Sequence, residues 1–305
     1  RGIISGLTLD SKLNKFINSK PVKGKYKNLK YNKMLKRKVN EEITFVPLVD
    51  NKNKVVEILL LEQKQENINV LLLAGGFGKR LGKLTSQKPK PLIKIGNKSI
   101  IDYVMDRIEN IDNINSLYVS LHYYPEKIIK HLNKRKNNLN IEYLIEKKPL
   151  GTIGSVSLIH SELNDLLVVN ADIYSKLNLS NLIKFHRNNK YDATIAVASY
   201  EHNIPFGVID YDKNQNFIGI NEKPKFKYFI SAGMYVLSPI FYSLIRDQEP
   251  RDMPDLIHEG KKLGFKIGLF PIHESWSDIG NIEDLKKQNS LIKENTLIKQ
   301  KLNKS

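Results

Sequence analysis

Gly75, Gly76 and Gly78 stand beside Lys79 and Arg80 in the run Val70-Leu-Leu-Leu-Ala-Gly-Gly-Phe-Gly-Lys-Arg-Leu-Gly82, directly after an apolar stretch of strand type. Glycines leave backbone N–H groups free to close on phosphate oxygens, and adjacent cations neutralise the charge held there. Two commoner phosphate loops are excluded by spacing. No glycine stands five positions before a Gly-Lys pair, and Gly76-x-Gly78 is followed by Leu81 where a dinucleotide loop needs glycine. Downstream, Pro89 and Pro91 bracket Lys90. Prolines on both sides fix the backbone of that lysine, as a stationary cation near the same phosphates requires.

Such a loop needs a strand to carry it and a helix or turn to receive it. Strands are expected at Val70 to Leu73, Leu117 to Leu121, Ile141 to Ile145, Leu166 to Val169 and Thr194 to Ala198. Helices are expected between them at Ile100 to Asn110, Pro125 to Asn133, Gly154 to Ser161 and Asn181 to Asn188, with Ser99 and Asp102 spaced as a capping pair. This alternation predicts an α/β fold, with ligands beyond the carboxyl ends of the strands. After Phe206 a hairpin through Val208 to Ile220 and a strand over Ile230 to Leu237 predict a mixed sheet that extends the core. Earlier in the chain, Ile43 to Asp50 and Val55 to Leu61 read as two strands around the turn Asn51-Lys52-Asn53. The composition shift near Gln63 to Asn67 divides the sequence into residues 1–66 and 67–305.

The 305 residues carry a net charge of +17, which invites a nucleic-acid reading. Its distribution argues against one. Ser11 to Asn40 holds eleven Lys/Arg and no acid, and Asn281 to Ser305 adds a further +3, so the rest of the chain is close to neutral. A solvated lysine-rich surface is the simpler account, and nucleic-acid binding ranks behind it. No stretch approaches the roughly 18 uncharged apolar residues that cross a bilayer, so a cytoplasmic protein without a membrane partner is expected. The absence of cysteine excludes disulfides and thiolate metal sites. The seven histidines form no close cluster of the kind that holds zinc.

Leu71 to Leu92, LLLAGGFGKRLGKLTSQKPKPL, resembles the signature of the sugar-phosphate nucleotidyltransferases, which make nucleoside diphosphate sugars. Six further segments similar to that family follow in order: Pro149-Leu-Gly-Thr-Ile-Gly154, Val169-Asn-Ala-Asp172, Phe206-Gly-Val208, Asn221-Glu-Lys-Pro224, Ser231-Ala-Gly-Met-Tyr235 and Trp276-Ser-Asp-Ile-Gly280. The resemblance implies a Rossmann-like, mostly parallel mixed sheet flanked by helices. It also implies a reaction in which a sugar 1-phosphate oxygen attacks the α-phosphorus of a nucleoside triphosphate and expels pyrophosphate.

The same resemblance assigns roles. Leu73, Ala74, Gly75, Gly76, Gly78, Gly151 and Thr152 would hold the nucleotide, Arg80 and Lys90 would stabilise charge on its phosphates, and Asp172 and Asp278 would hold Mg²⁺. Taken alone, Asp172 reads equally as a turn or helix cap, and Asp278 as the cap of the helix before Asn281. Gly207 would lie against the sugar, with Glu222 on its hydroxyls and Lys223 on its phosphate. Ser231 replaces the Asn usual in the family, which leaves a sugar contact there in doubt. Glu146 falls where family members meet the base edge. An acceptor-only carboxylate suits the N–H groups of guanine, so GTP is expected, against the alternative that Glu146 pairs with Lys147 or Lys148 on the surface. Trp276 is read as core packing beside Asp278.

Arg1 to Asn18 and Ile43 to Leu61, with Val46-Pro-Leu-Val-Asp50, resemble parts of paired cystathionine-β-synthase (CBS) modules. That implies a small α+β segment, read as a dimerising or stabilising element of a homo-oligomer, and the initial Arg suggests that residues once preceded it. The combination resembles guanylyltransferases of bacterial legionaminic acid pathways, which implies glucosamine 1-phosphate as the sugar substrate. Mannose 1-phosphate and heptose 1-phosphate are the nearest alternatives, and a non-catalytic nucleotide sensor is the alternative of another class.

Overall fold

The computed structural model describes residues 21–38, 45–60, 66–136, 138–161, 164–245 and 248–302, and the chain divides into two units, Arg1–Gln65 and Glu66–Ser305. In the first unit the Oδ1 of Asp50 accepts the N–H groups of Lys52 and Lys54, both at 2.9 Å, and this closes the polar turn. On either side β2 (Phe45–Val49) and β3 (Val55–Leu60) pair antiparallel, while β1 (Gly24–Lys25) precedes α1 (Leu29–Lys38) and joins β2 in parallel. The sheet order is β1-β2-β3. The expected segment Arg1 to Asn18 and residues Ile43 and Leu61 lie outside the described residues.

In the second unit Val70, Leu71 and Leu72 are wholly buried, as a strand covered on both faces requires. This strand, β4 (Ile68–Leu73), lies inside a seven-stranded sheet. The others are β7 (Ile114–Leu121), β8 (Ile141–Ile145), β9 (Leu166–Asn170), β11 (Ala193–Asn203), β14 (Lys225–Leu237) and β15 (Ile267–Ile272). The order is β15-β11-β14-β9-β4-β7-β8, and only β14 runs against the rest. This is the expected mixed, mostly parallel sheet. Successive side chains feed opposite layers. Val70 and Leu72 join Ile101, Val104, Ile128, Leu179 and Leu182 of α2 (Ile100–Ile108), α3 (Pro125–Leu132) and α4 (Leu179–Asn188). Leu71 joins Phe241, Met253 and Leu256 of α5 (Pro239–Tyr242) and α6 (Met253–Lys262) on the other face.

Ser99 and Asp102 form the expected reciprocal cap of α2. One expected helix is absent: Gly154–Leu158 makes only a short 3₁₀ turn, in which Ser157 Oγ bonds back to the carbonyl of Gly154 at 2.7 Å. A Cβ at Gly154 would lie 2.9 Å from the Glu249 carbonyl, so this turn is pressed against the 249–251 segment and has no room to run on. The smaller strands are β5 (Lys94–Ile95), β6 (Lys98–Ser99), β10 (Ile173–Ser175), β12 (Gly207–Tyr211), β13 (Phe217–Glu222) and β16 (Trp276–Asp278), and α7 (Ile282–Leu302) follows them. Among the described residues no helix is long and apolar enough to cross a membrane.

Candidate active site

Strands β4 and β9 lie side by side in parallel, so their carboxyl ends deliver Leu73–Ala74 and Asn170–Asp172 to the same edge of the sheet. The N–H of Ala171 bonds to the carbonyl of Leu73 at 3.0 Å, which ties the two exits together. A cleft of about 200 Å³ opens there, lined by Leu73, Ala74, Gly76, Gly78, Lys79, Arg80, Lys90, Pro91, Asp172 and Gly280. Seven of the residues expected to take part line this cleft. Lys79, read from the sequence as one of the two loop cations, lines it as well, and Gly280, the end of the Trp276–Gly280 segment, was given no role of its own.

The loop closes on Lys90 because Gly78 has no side chain. Its φ is +63°, and a Cβ there would lie 2.9 Å from both Lys90 Cβ and Thr85 Cγ2. Thr85 Oγ1 in turn bonds to the Gly78 carbonyl at 3.0 Å. Pro89 and Pro91 hold Lys90 in a single 3₁₀ turn, with its side chain only 8% exposed. Its ammonium donates to Asp172 Oδ2 at 2.6 Å and to Asp278 Oδ1 at 3.3 Å.

The two aspartates are 106 positions apart in sequence, and the antiparallel pair of β10 and β16 unites them, with Ile173 opposite Asp278. The N–H of Ile279 also approaches the Asp172 carbonyl at 3.4 Å. Neither carboxylate caps a helix: the first turn of α7 is capped by Asn281, whose Oδ1 accepts the N–H of Asp284 at 2.9 Å. Arg80 is largely exposed, and its Nη2 stands 3.9 Å from Asp278 Oδ2. One carboxylate, three cations and a glycine-rich backbone therefore line one cleft, and Asp278, which is not a lining residue, adjoins it through Lys90 and Arg80.

Two converging carboxylates supply hard oxygen ligands of the kind Mg²⁺ takes. Among the described residues no third His, Cys, Asp or Glu joins them. Mg²⁺ commonly keeps water and substrate phosphate in its remaining positions, so the donor set fits that ion bound together with a nucleotide.

Glu146 is buried, which overturns its alternative as a surface partner of the neighbouring lysines; Lys148 instead faces Glu249 at 3.3 Å. One oxygen of Glu146 accepts the hydroxyl of Ser120, and the other accepts the N–H of Leu150 at 2.8 Å. A Cβ at Gly75 would lie 3.6 Å from Oε1, so the carboxylate is directly behind the first glycine of the loop. Phe77 anchors the loop from outside, edge-on to His122 with centroids 5.4 Å apart. Ser120 and His122 were not singled out from sequence, and the signal for the first was a polar residue inside an apolar strand.

Gly151 and Thr152 are not among the residues lining the cleft. The Oγ1 of Thr152 accepts the N–H of Met253 at 2.7 Å and donates to Asp252 Oδ1 at 3.2 Å, which caps α6. Gly151, at φ +77°, is pressed against the Arg251 carbonyl. Gly207 and Glu222 face each other across the pair β12–β13, and Lys223 follows at φ +47°. Glu222 and Lys223 are both exposed, and Glu222 Oε2 would lie 2.8 Å from a Cβ at Gly207. Ser231 Oγ is engaged by the hydroxyl of Tyr235 at 2.7 Å, and Trp276 packs on the core with its Nε1 donating to the Ala232 carbonyl at 3.0 Å.

Comparison with known proteins bears on this constellation. The family profile described as nucleotidyl transferase matches residues 69–295. The chain is similar to the mannose-1-phosphate guanylyltransferase catalytic subunit beta of Dictyostelium discoideum, 29% identical over 71% of this chain and 62% of that protein. It is similar to the bifunctional protein GlmU of Methanococcus maripaludis, 28% identical over 73% of this chain and 54% of that protein. The chain thus spans less than two thirds of the length of these curated relatives. Among solved structures, HddC from Yersinia pseudotuberculosis superposes with a TM-score of 0.56 at 25% identity, covering 74% of this chain and 99% of that one.

Proposed function

The chain belongs to the nucleotidyl transferase family, and from that premise we propose that it is a Mg²⁺-dependent sugar-1-phosphate guanylyltransferase, converting GTP and a sugar 1-phosphate to a GDP-sugar and pyrophosphate. The observation that carries this reading is the convergence of Lys90, Asp172 and Asp278 under a glycine loop at the sheet's carboxyl edge. Loop N–H groups cradle the phosphates, and Arg80 and Lys90 offset the charge that grows on them. A phosphate oxygen of the sugar 1-phosphate forms a bond to the α-phosphorus, and the bond to the departing pyrophosphate breaks in line. Mg²⁺ bound by Asp172 and Asp278 supplies charge neutralisation and alignment of the phosphates. Lys223 takes the sugar phosphate and Glu222 the sugar hydroxyls, and Gly207, whose missing side chain lets Glu222 and Ile220 pack close over it, sets its backbone against the sugar.

The guanine preference rests on Glu146, a buried acceptor behind Gly75, and is supported by relatives named for guanylyl transfer. Glucosamine 1-phosphate is the sugar expected from the sequence pattern; mannose 1-phosphate is the second reading, favoured by the names of relatives from Dictyostelium discoideum and Oryza sativa subsp. japonica. Pyrophosphate release, measured for four nucleoside triphosphates against glucosamine, mannose and heptose 1-phosphates, tests the assignment. The reading requires turnover with GTP above the other three. Turnover with none of the combinations would reject it, and a preference for UTP or ATP would reject the guanine assignment alone.

A further inference from the structure

The Arg80 side chain is 75% exposed, so where its guanidinium stands depends on the backbone that carries it. That backbone runs between two glycine bends, Gly78 at φ +63° and Gly82 at φ +55°. Leu81, fully buried beside Ile93 and Ile95, pins it from within. From the other side the buried Thr85 Oγ1 is shared between the Gly78 carbonyl at 3.0 Å and the Gly82 carbonyl at 3.1 Å. One hydroxyl therefore holds both bends, and Arg80 is only as fixed as Thr85.

Residues 85–87 are held in turn by the start of α3. The Tyr123 hydroxyl donates to the Thr85 carbonyl at 3.1 Å and to the Ser86 carbonyl at 3.2 Å. The Tyr124 hydroxyl also reaches the Ser86 carbonyl, at 3.3 Å, and the Lys127 ammonium donates to the carbonyl of Gln87. Three successive carbonyls, two of them on exposed residues, thus find side-chain donors rather than water. The Tyr123 ring makes a second contact. It lies against Phe77, centroids 5.3 Å apart, at the other end of the loop.

Backbone strain accompanies this arrangement. Tyr124 sits at φ +48°, a left-handed conformation that a bulky residue rarely adopts. Such strain persists where the surroundings over-determine it, and it concentrates at functional sites. Here the bend sets the two tyrosines side by side, ring centroids 4.4 Å apart, with the Lys127 ammonium 4.0 Å from the centre of the Tyr124 ring. Tyr124 and Lys127 meet the far end of the loop, whereas Tyr123 meets both ends.

We propose that Tyr123 is a positioning residue for the transfer reaction: its ring and hydroxyl clasp the loop from Phe77 to Ser86, and through Thr85 they set where Arg80 meets the nucleotide. This rests on the transferase reading above, in which Arg80 offsets the charge that grows on the phosphates. A cation that must meet a developing charge loses its effect when its carrier drifts, and a misplacement of about 1 Å can cost ~100-fold in rate. A tyrosine that only stabilised the fold would change the rate alike whether Arg80 is present or not.

Tyr123→Phe removes the hydroxyl and keeps the ring. Pyrophosphate release by that variant, by Arg80→Ala and by the double variant forms a kinetic cycle. The expected result is a fall of about 10- to 100-fold in kcat for Tyr123→Phe, with the KM for sugar 1-phosphate unchanged. That fall shrinks to less than about twofold when Arg80 is already gone. Hydrogen exchange read by mass spectrometry accompanies it: amides of residues 77–87 exchange faster in Tyr123→Phe, while those of β9 and β11 do not change. An equal loss with and without Arg80, or no loss at all, overturns the proposal. So does unaltered exchange over residues 77–87. If Arg80→Ala releases no measurable pyrophosphate, the kcat loss and the local change in exchange must occur together, and either one alone overturns it. A wild type that turns over no combination of substrates rejects the transferase reading and this proposal with it, whereas a fully active Tyr123→Phe rejects the proposal alone.

Discussion

Lys90 Nζ lies 2.6 Å from Asp172 Oδ2, and the same ammonium reaches Asp278 at 3.3 Å. One buried cation thus holds together two carboxylates that separate strands deliver. Lys90→Met would leave the aspartates facing each other without it. Expected losses are about 1–3 kcal/mol of stability, since the carboxylates keep some water, and ~100- to 1,000-fold in turnover from the missing charge stabilisation. Urea denaturation and pyrophosphate release check the two separately.

Glu146 holds two donors, Ser120 through one oxygen and Leu150 N–H through the other. In Glu146→Gln one of the two oxygens becomes an NH₂ group: the remaining oxygen keeps Leu150 N–H, the Ser120 hydroxyl must turn from donor to acceptor, and the base edge meets a donor as well. The preference for GTP over UTP is expected to fall about tenfold to a hundredfold, with about 1 kcal/mol lost in stability. An unchanged preference would show that Glu146 serves only to position Leu150 and Ser120.

The cap of α2 predicts an acid transition. Burial alone would raise the Asp102 carboxyl, but hydrogen bonds from Ser99 and His131 outweigh it and hold the group down at about 2. Arg135 adds a contact at 2.9 Å. A depressed carboxyl stabilises the fold above its unfolded value near 3.8, and this contribution is lost as the pH falls from there through about 2. Solvent screening reduces it to about 1 kcal/mol. Thermal melts of wild type and Asp102→Asn should therefore differ above pH 4 and converge at lower pH.

Much of this was legible beforehand because burial imposes periodicity. The strand Ile141–Ile145 has the predicted limits, and β4, β7 and β9 differ from prediction only at their ends. The glycine loop and Lys90 were equally visible, since glycines and bracketing prolines constrain the backbone locally. What escaped was long-range or steric. The union of Asp172 with Asp278 depends on the β10–β16 pairing, which no local pattern encodes. The 3₁₀ turn at Gly154–Leu158 reflects a collision with the 249–251 segment, and Thr152 met a helix end 101 residues away. β11 runs on to Asn203 and β14 starts at Lys225, beyond the predicted Ala198 and Ile230, because these stretches pair only with each other and cover no core whose burial would mark them.

Gly233 shows how packing positions the site. At φ +69°, a Cβ there would lie 2.3 Å from Ile173 Cδ1 and 2.7 Å from Asn170 Nδ2, and those residues flank Asp172. Gly233→Ala is expected to cost about 1–3 kcal/mol through backbone strain and displacement of that turn. Turnover should fall with it under conditions where the variant remains folded, as read by denaturation and activity assays run in parallel.

The central claim is that Asp172 and Asp278 serve a metal-assisted transfer in the cleft beneath the glycine loop. Its most direct test is the rate of pyrophosphate release from GTP and a saturating sugar 1-phosphate in Mg²⁺, for wild type against Asp172→Asn. The account predicts a fall of about 100-fold or more in a variant that stays folded, with wild-type turnover abolished by chelator. Full activity in Asp172→Asn, or chelator-resistant turnover in the wild type, would contradict it.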